Sequence, residues 1–158
     1  MTEKCGELAN LARIGKLAVE PGTRGEVDGL LRSGTERLAD ARNEGLALSS
    51  RFDLAYNAAH AFSLAALRWH GYRSDSRYMV FQILPHTLGL PAATWRVLAK
   101  AHEVRNVAEY EGHFDADATL LRNLIEAAEV VRVAVAAMPA LPAQKSEHLH
   151  SGRRPYKE

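Results

Sequence analysis

Residues 50–73 read SRFDLAYNAAHAFSLAALRWHGYR. Projected at about 100° per residue, Phe52, Ala55, Tyr56, Ala59, Ala66 and His70 fall on one side, with Leu54, Ala58, Ala61 and Ala65 on another. Only a narrow strip of Asp53, Asn57, His60 and Arg68 is polar. A helix apolar round most of its circumference must be covered by neighbours on several sides. Its many alanines let those neighbours come close. The segment predicts the central helix of a bundle, opened by an N-cap at Ser49 or Ser50 and running to about Gly71.

Helical spacing continues on both sides. Upstream, Leu8, Leu11, Ala12 and Leu17 form a weaker pattern interrupted by Gly6 and Gly15, and EPGTRG at residues 20–25 breaks it. A stronger helix follows from Glu26, with Val27, Leu30, Leu31, Leu38 and Ala41 in register, ending near Asn43–Gly45. Downstream, the polar loop GYRSDSR gives Ser74 or Ser76 as a cap for a short helix that Pro85 limits or kinks. Gly89 marks a stop before the next helix. Asp115 or Asp117 caps a last helix through Leu120, Leu121, Leu124, Ala128, Val131 and Val135 to about Met138. There is no β-hairpin signal, internal repeat or low-complexity run. The expectation is an all-α, antiparallel bundle of about five helices over residues 23–138, with an N-terminal helix and linker at 1–22 and a flexible tail at 139–158.

The penultimate helix, PAATWRVLAKAHEVRNVAEYEGH at residues 91–113, is the chemically informative one. Pro91 suits its first turn and Gly112 its end. Arg96, Lys100, Glu103 and Glu111 mark a water face, while Val97, Ala101, Val104 and Ala108 are expected to meet the core. Between them runs a mixed stripe of His102, Arg105, Asn106, Glu109 and Tyr110, flanked by Trp95 and His113. Arginine is always charged and presents a rigid fork suited to phosphate or carboxylate. Beside an apolar face it needs a partner, for which Glu109 at i+4 is a candidate. The alternative to a site is an internal ion pair with a tyrosine anchor. Tyr56 and His60 read first as packing residues. Should the two helices be neighbours, His60 would point into the same cleft as Asn106. Arg73 and Arg77 read as solvated charges, with a phosphate-binding rim as the alternative.

Composition bounds the function. The chain of 158 residues is 47% hydrophobic and 25% charged, as one globular domain requires. From Pro139 onward four cations face two carboxylates, so the formal charge of +1 leaves residues 1–138 at −1. That body offers no broad field for nucleic-acid phosphates, although a local Arg cluster is compatible with it. The single Cys5 builds no disulfide framework or thiolate metal site. With no apolar run of about 18 residues and no signal-peptide pattern, the expectation is a cytoplasmic protein with no membrane association.

Common catalytic signatures are missing: there is no Gly-rich phosphate loop, no GxSxG and no HExxH, since Asn106 stands where the second His would follow His102-Glu103. Glu109 and His113 are four apart with no second copy, which excludes a di-iron bundle. His148 and His150 lie in the tail and lack further ligands. No metal and no cofactor are expected.

The order of Leu54-Ala55-Tyr56, Ala58-Ala59-His60 and Arg68 to Tyr72, then Arg105-Asn106 and Ala108-Glu109-Tyr110, resembles the HEPN family (higher eukaryotes and prokaryotes nucleotide-binding) over roughly Glu26 to Met138. The resemblance implies a helical bundle, a homodimer with a polar cleft between protomers, and in many members a metal-independent ribonuclease toxin paired with a nucleotidyltransferase. The family's nuclease motif is Arg, a polar residue, then a His. Here its window holds Tyr110, Glu111 and Gly112, with His113 one position beyond. The chain instead resembles the subset with Arg-x-x-Ala-Asp/Glu-Tyr. Cleavage by 2′-OH attack needs a group that exchanges protons near neutrality, and a phenol with a reference pKa of about 10 is poorly suited.

The expectation is therefore a HEPN-like domain that binds nucleotide or RNA phosphate, or a protein partner, without strong catalysis. Arg105, Asn106 and Tyr110 form the degenerate motif, and His60, His102, Arg105, Asn106, Glu109 and Tyr110 the ligand-binding set. Its rivals are an active ribonuclease using Arg105 with His102 or His113, and a structural dimerisation module.

Overall fold

The computed structural model describes residues 2–112 and 117–143, with side chains from residue 6 onward. In chain order it contains α1 (Thr2–Arg13), β1 (Ala18–Val19), α2 (Arg24–Ala41), α3 (Leu48–Trp69), β2 (Tyr72–Arg73), α4 (Arg77–Gln82), α5 (Leu84–Thr87), α6 (Ala92–Glu111) and α7 (Ala118–Ala136). The all-α bundle is observed, and α3 lies at its centre. Phe52, Tyr56, Phe62 and Leu67 are fully buried along it, together with most of its alanines. Burying each large apolar side chain contributes about 1.5–3 kcal/mol. Helices α2 and α7 cover α3 most extensively, with α4 and α6 on a further side.

Small residues set how closely α2 and α3 approach. Gly34 is buried against the Phe62 ring, and a Cβ there would stand 2.6 Å from Phe62 Cε1. No methyl fits in that gap without moving the ring.

The helix starts differ from expectation in two places. Thr23 caps α2, its Oγ1 accepting from Glu26 N at 3.1 Å, so the helix begins inside the stretch read as a turn. The start of α3 is Ala47, without a side-chain cap, instead of Ser49 or Ser50. Leu48 packs on the core, and that contact outweighs the capping preference of the serines. Pro91 sits at the N-cap of α6, and Ser76 and Asp117 cap α4 and α7 as their residue types predict. Gly112 ends α6 at φ 65°, in the left-handed region. The short helix is two pieces, because the chain turns at Ile83 before Pro85.

One pairing has no signature in the sequence. β1 and β2 form a two-residue antiparallel pair, Ala18 opposite Arg73 and Val19 opposite Tyr72. Arg68, 5% exposed, holds it in place. Its guanidinium donates to Glu26 Oε1 at 2.8 Å, to Glu20 O at 2.9 Å and to Tyr72 O at 3.1 Å. Arg68 thus leaves the polar strip of α3 and staples the N-terminal segment to the bundle. Gly22 passes so close that a Cβ would lie 2.2 Å from Arg68 O.

The beginning of the tail is also held: Trp69 Nε1 donates to Pro139 O at 2.7 Å, and Leu141 packs on the core. His113, Asp115, His148 and His150 lie outside the described residues. No described helix is long and apolar enough to cross a membrane.

Candidate functional site

Three helices present one polar cluster. Asp53, Tyr56, Asn57 and His60 recur at three- and four-residue spacing on α3, which puts them on one face. His102, Arg105 and Asn106 do the same on α6, and α4 adds Arg77 and Tyr78. The α6 core contact is made chiefly by Leu98 and Ala101, the only fully buried residues of that helix. Val97, Val104 and Ala108 are half-buried. This rotates the stripe partly towards α3.

Tyr56 is the centre of the cluster. It is fully buried, its ring packs edge-on against Phe81, and its hydroxyl lies 2.8 Å from Nδ1 of His102. On the other side of that imidazole, Asn106 Nδ2 stands 3.1 Å from Nε2. With the amide donating to Nε2, the ring proton is assigned to Nδ1 and is donated to the phenol oxygen. Asn106 Oδ1 then has no hydrogen-bond donor among the described residues.

Two guanidinium groups converge on the same ring. Arg105 Cζ lies 4.8 Å from the Tyr56 centroid and Arg77 Cζ 5.7 Å, both within cation–π range. Arg105 Nε donates to Asp53 Oδ1 at 3.3 Å, and Arg77 Nη1 to Asn57 Oδ1 at 3.1 Å. Asp53 is well exposed, so the screened Arg105 pair contributes little to stability. Among the described residues Arg77 has no carboxylate partner.

These charges tune the neighbouring groups. Burial, reinforced by Arg77, Arg105 and His102, lowers the pKa of His60 to about 4. Burial, followed by Arg105 and Arg77, also lowers that of His102. Burial raises the phenol of Tyr56, with the positive charge of the two arginines opposing it. At neutral pH the cluster therefore holds two cations, one carboxylate, two neutral imidazoles and a protonated phenol. Such a set carries a net charge of +1. The His60 ring touches Phe81 edge-on and makes no hydrogen bond within the described residues.

His60, His102, Arg105 and Asn106 are thus brought together. Tyr110 is not among them: it is 88% exposed, about 140° round the helix from Arg105. Glu109 is exposed and does not pair with Arg105, because Asp53 of α3 takes that role. Arg73 joins Glu20 and Asp75 at the strand pair, away from the cluster. Sequence reasoning underrated Tyr56 and Arg77. The signal for Tyr56 was a buried phenol flanked by Asp53, Asn57 and His60, whose hydroxyl must find a partner.

Two shallow grooves flank the Arg105–Asn106 pair. One, of about 320 Å³, is lined by Ser49, Phe52, Asp53, Arg105, Ala108 and Glu109. The other, of about 530 Å³, runs between α4 and α6 past Tyr78, Trp95, His102 and Asn106. No family model, curated protein or solved structure matches this chain.

Proposed function

We propose that this chain is a HEPN-like helical domain whose α3–α4–α6 cleft binds the phosphate of a nucleotide or RNA without strong catalysis. The observation that carries the reading is the convergence of Arg77 and Arg105 on the Tyr56 ring, with one exposed carboxylate to balance them. A phosphate would displace Asp53 from Arg105 and gain charge-assisted hydrogen bonds from the guanidinium groups. Weak catalysis follows from the engagement of His102, both of whose ring nitrogens face protein partners. A homodimer, and association with a nucleotidyltransferase or another toxin–antitoxin partner, rest on the family resemblance.

The test is calorimetric titration with adenosine monophosphate and with inorganic phosphate. Saturable binding is expected, weakened ten-fold or more in Arg105→Ala and partly restored in Arg105→Lys. Unchanged binding in Arg105→Ala overturns the reading, as does a homodimer that buries Arg105 and Asn106 completely.

A second reading keeps a ribonuclease. It is favoured by the placement of His102, neutral at pH 7 and one turn from Arg105. Cleavage of a generic RNA that is lost in His102→Ala, or in His113→Ala, would establish it.

A further inference from the structure

The groove between α4 and α6 has features that phosphate capture does not require. Tyr78, a large aromatic, is left 41% exposed on one wall. Its ring centroid lies 5.9 Å from that of His102. Trp95, half-buried, forms part of the other wall. Arg96 and Lys100 edge the groove, Lys100 Nζ being 3.6 Å from the Glu103 carboxylate. Trp95 precedes His102 by two helical turns, about 10 Å along the α6 axis at 1.5 Å per residue. The two aromatics therefore stand at different levels of one groove, whose His102–Asn106 end adjoins the Arg77–Arg105 cluster through the His102–Tyr56 contact.

We propose that this groove is a stacking track for successive bases of a single-stranded nucleic acid. The idea rests on the phosphate-binding reading of the adjoining cluster. One phosphate sits at Arg77 and Arg105. The base beside it lies on Tyr78, where Asn106 Oδ1 accepts from an exocyclic amine. The next base reaches Trp95, and Arg96 neutralises the backbone along the rim, joined by Lys100 once the strand displaces Glu103 from it. Aromatic faces take any base, because every base has a π-face, and one amide reads little sequence. A mononucleotide fills only the Tyr78 end, so the spacing of the two rings selects a strand. Cationic edges around separated aromatic platforms are the arrangement that single strands require.

The experiment measures affinity of the full chain for inorganic phosphate, adenosine monophosphate, and ribo- and deoxyribo-triadenylate. Wild type is expected to bind either trinucleotide at least ten-fold more tightly than the mononucleotide, and the preferred sugar identifies RNA or DNA as the strand. Trp95→Ala should lower trinucleotide affinity about ten-fold and leave mononucleotide affinity unchanged. Tyr78→Ala should weaken both but spare inorganic phosphate. Trp95→Phe should restore most of the loss, and it serves as the test should Trp95→Ala not fold. A trinucleotide that binds no better than the mononucleotide and ignores Trp95 overturns the track, even when Arg105→Ala still abolishes phosphate binding. If Arg105→Ala changes nothing while Tyr78 and Trp95 still govern the trinucleotide, the phosphate reading fails and the track stands.

Discussion

The hydroxyl of Tyr56 and Nδ1 of His102 lie 2.8 Å apart, joining α3 to α6 inside the polar cluster. Tyr56 is fully buried, and His102 borders the groove that opens between α4 and α6. The hydrogen bond therefore belongs to the core and to the site at once. Removing it separates the two roles, because the ring and the hydroxyl of Tyr56 do different things.

Tyr56→Phe keeps the ring that Arg77 and Arg105 approach but leaves His102 Nδ1 without its partner. The expected cost is about 1–2 kcal/mol, read as a lower urea midpoint at constant m. Tyr56→Ala should cost roughly 3–5 kcal/mol through the cavity it opens. A Phe variant as stable as wild type would mean that the bond contributes nothing.

Asp53 holds Arg105, so in the proposed phosphate binding it competes with the anion. Asp53→Asn is expected to raise phosphate affinity about three- to ten-fold and to steepen its salt dependence, since one more uncompensated cation faces solvent. Titration at two ionic strengths reads both effects. Weaker binding in this variant would assign Asp53 a ligand-facing role.

His60 gives the fold a pH dependence of defined sign. Its folded pKa of about 4 lies below the ordinary value of 6.5, so the unfolded chain takes up the proton first. The stabilisation is complete above about pH 6.5 and is lost as pH falls towards 4. His102 shifts in the same direction and adds to the loss. Wild type should lose on the order of a few kcal/mol more than His60→Gln across that window. Glu26 and Glu129, held below the carboxylate range by Arg68 and Arg132, titrate in both proteins and cancel from the difference. Parallel stability profiles for the two proteins would show that His60 is freely hydrated.

Two glycines should respond with opposite sign to the same substitution. In Gly22→Ala the new methyl meets the Arg68 carbonyl oxygen, a backbone atom that cannot move aside, and a loss of about 1–3 kcal/mol is expected. Gly29 lies inside α2 with nothing within 4 Å of an added Cβ, so Gly29→Ala should gain about 0.5–1 kcal/mol from helix propensity alone. Thermal unfolding distinguishes the two. A stable Gly22→Ala would mean that the N-terminal segment is not seated on α3.

The central place of α3 was readable because apolar residues cover most of its circumference, and only a helix buried on several sides satisfies that pattern. Capping residues marked α4 and α7 for the same local reason: Ser76 and Asp117 satisfy backbone donors within their own turn. Half of the site was readable too. His102, Arg105 and Asn106 share a stripe by helical period, and His60 was expected beside them if the two helices met. Tyr110 and Glu109 were drawn in by that period, but how far a stripe is covered depends on the neighbouring helix, which a projection of one helix cannot include.

Local periodicity and capping thus settled which segments of this protein are helices and which helix occupies the middle, because those properties depend on residues within a few turns of one another. Partner choice did not follow from them. That Arg105 pairs with Asp53 and not Glu109, and that Arg77 joins Tyr56, were decided by the packing of α3, α4 and α6, and that Arg68 turns away to staple Ala18–Val19 against Tyr72–Arg73 by the packing of α2 and the N-terminal segment on α3. Each of those contacts spans 20 or more residues of chain, and its geometry exists only once the helices have docked.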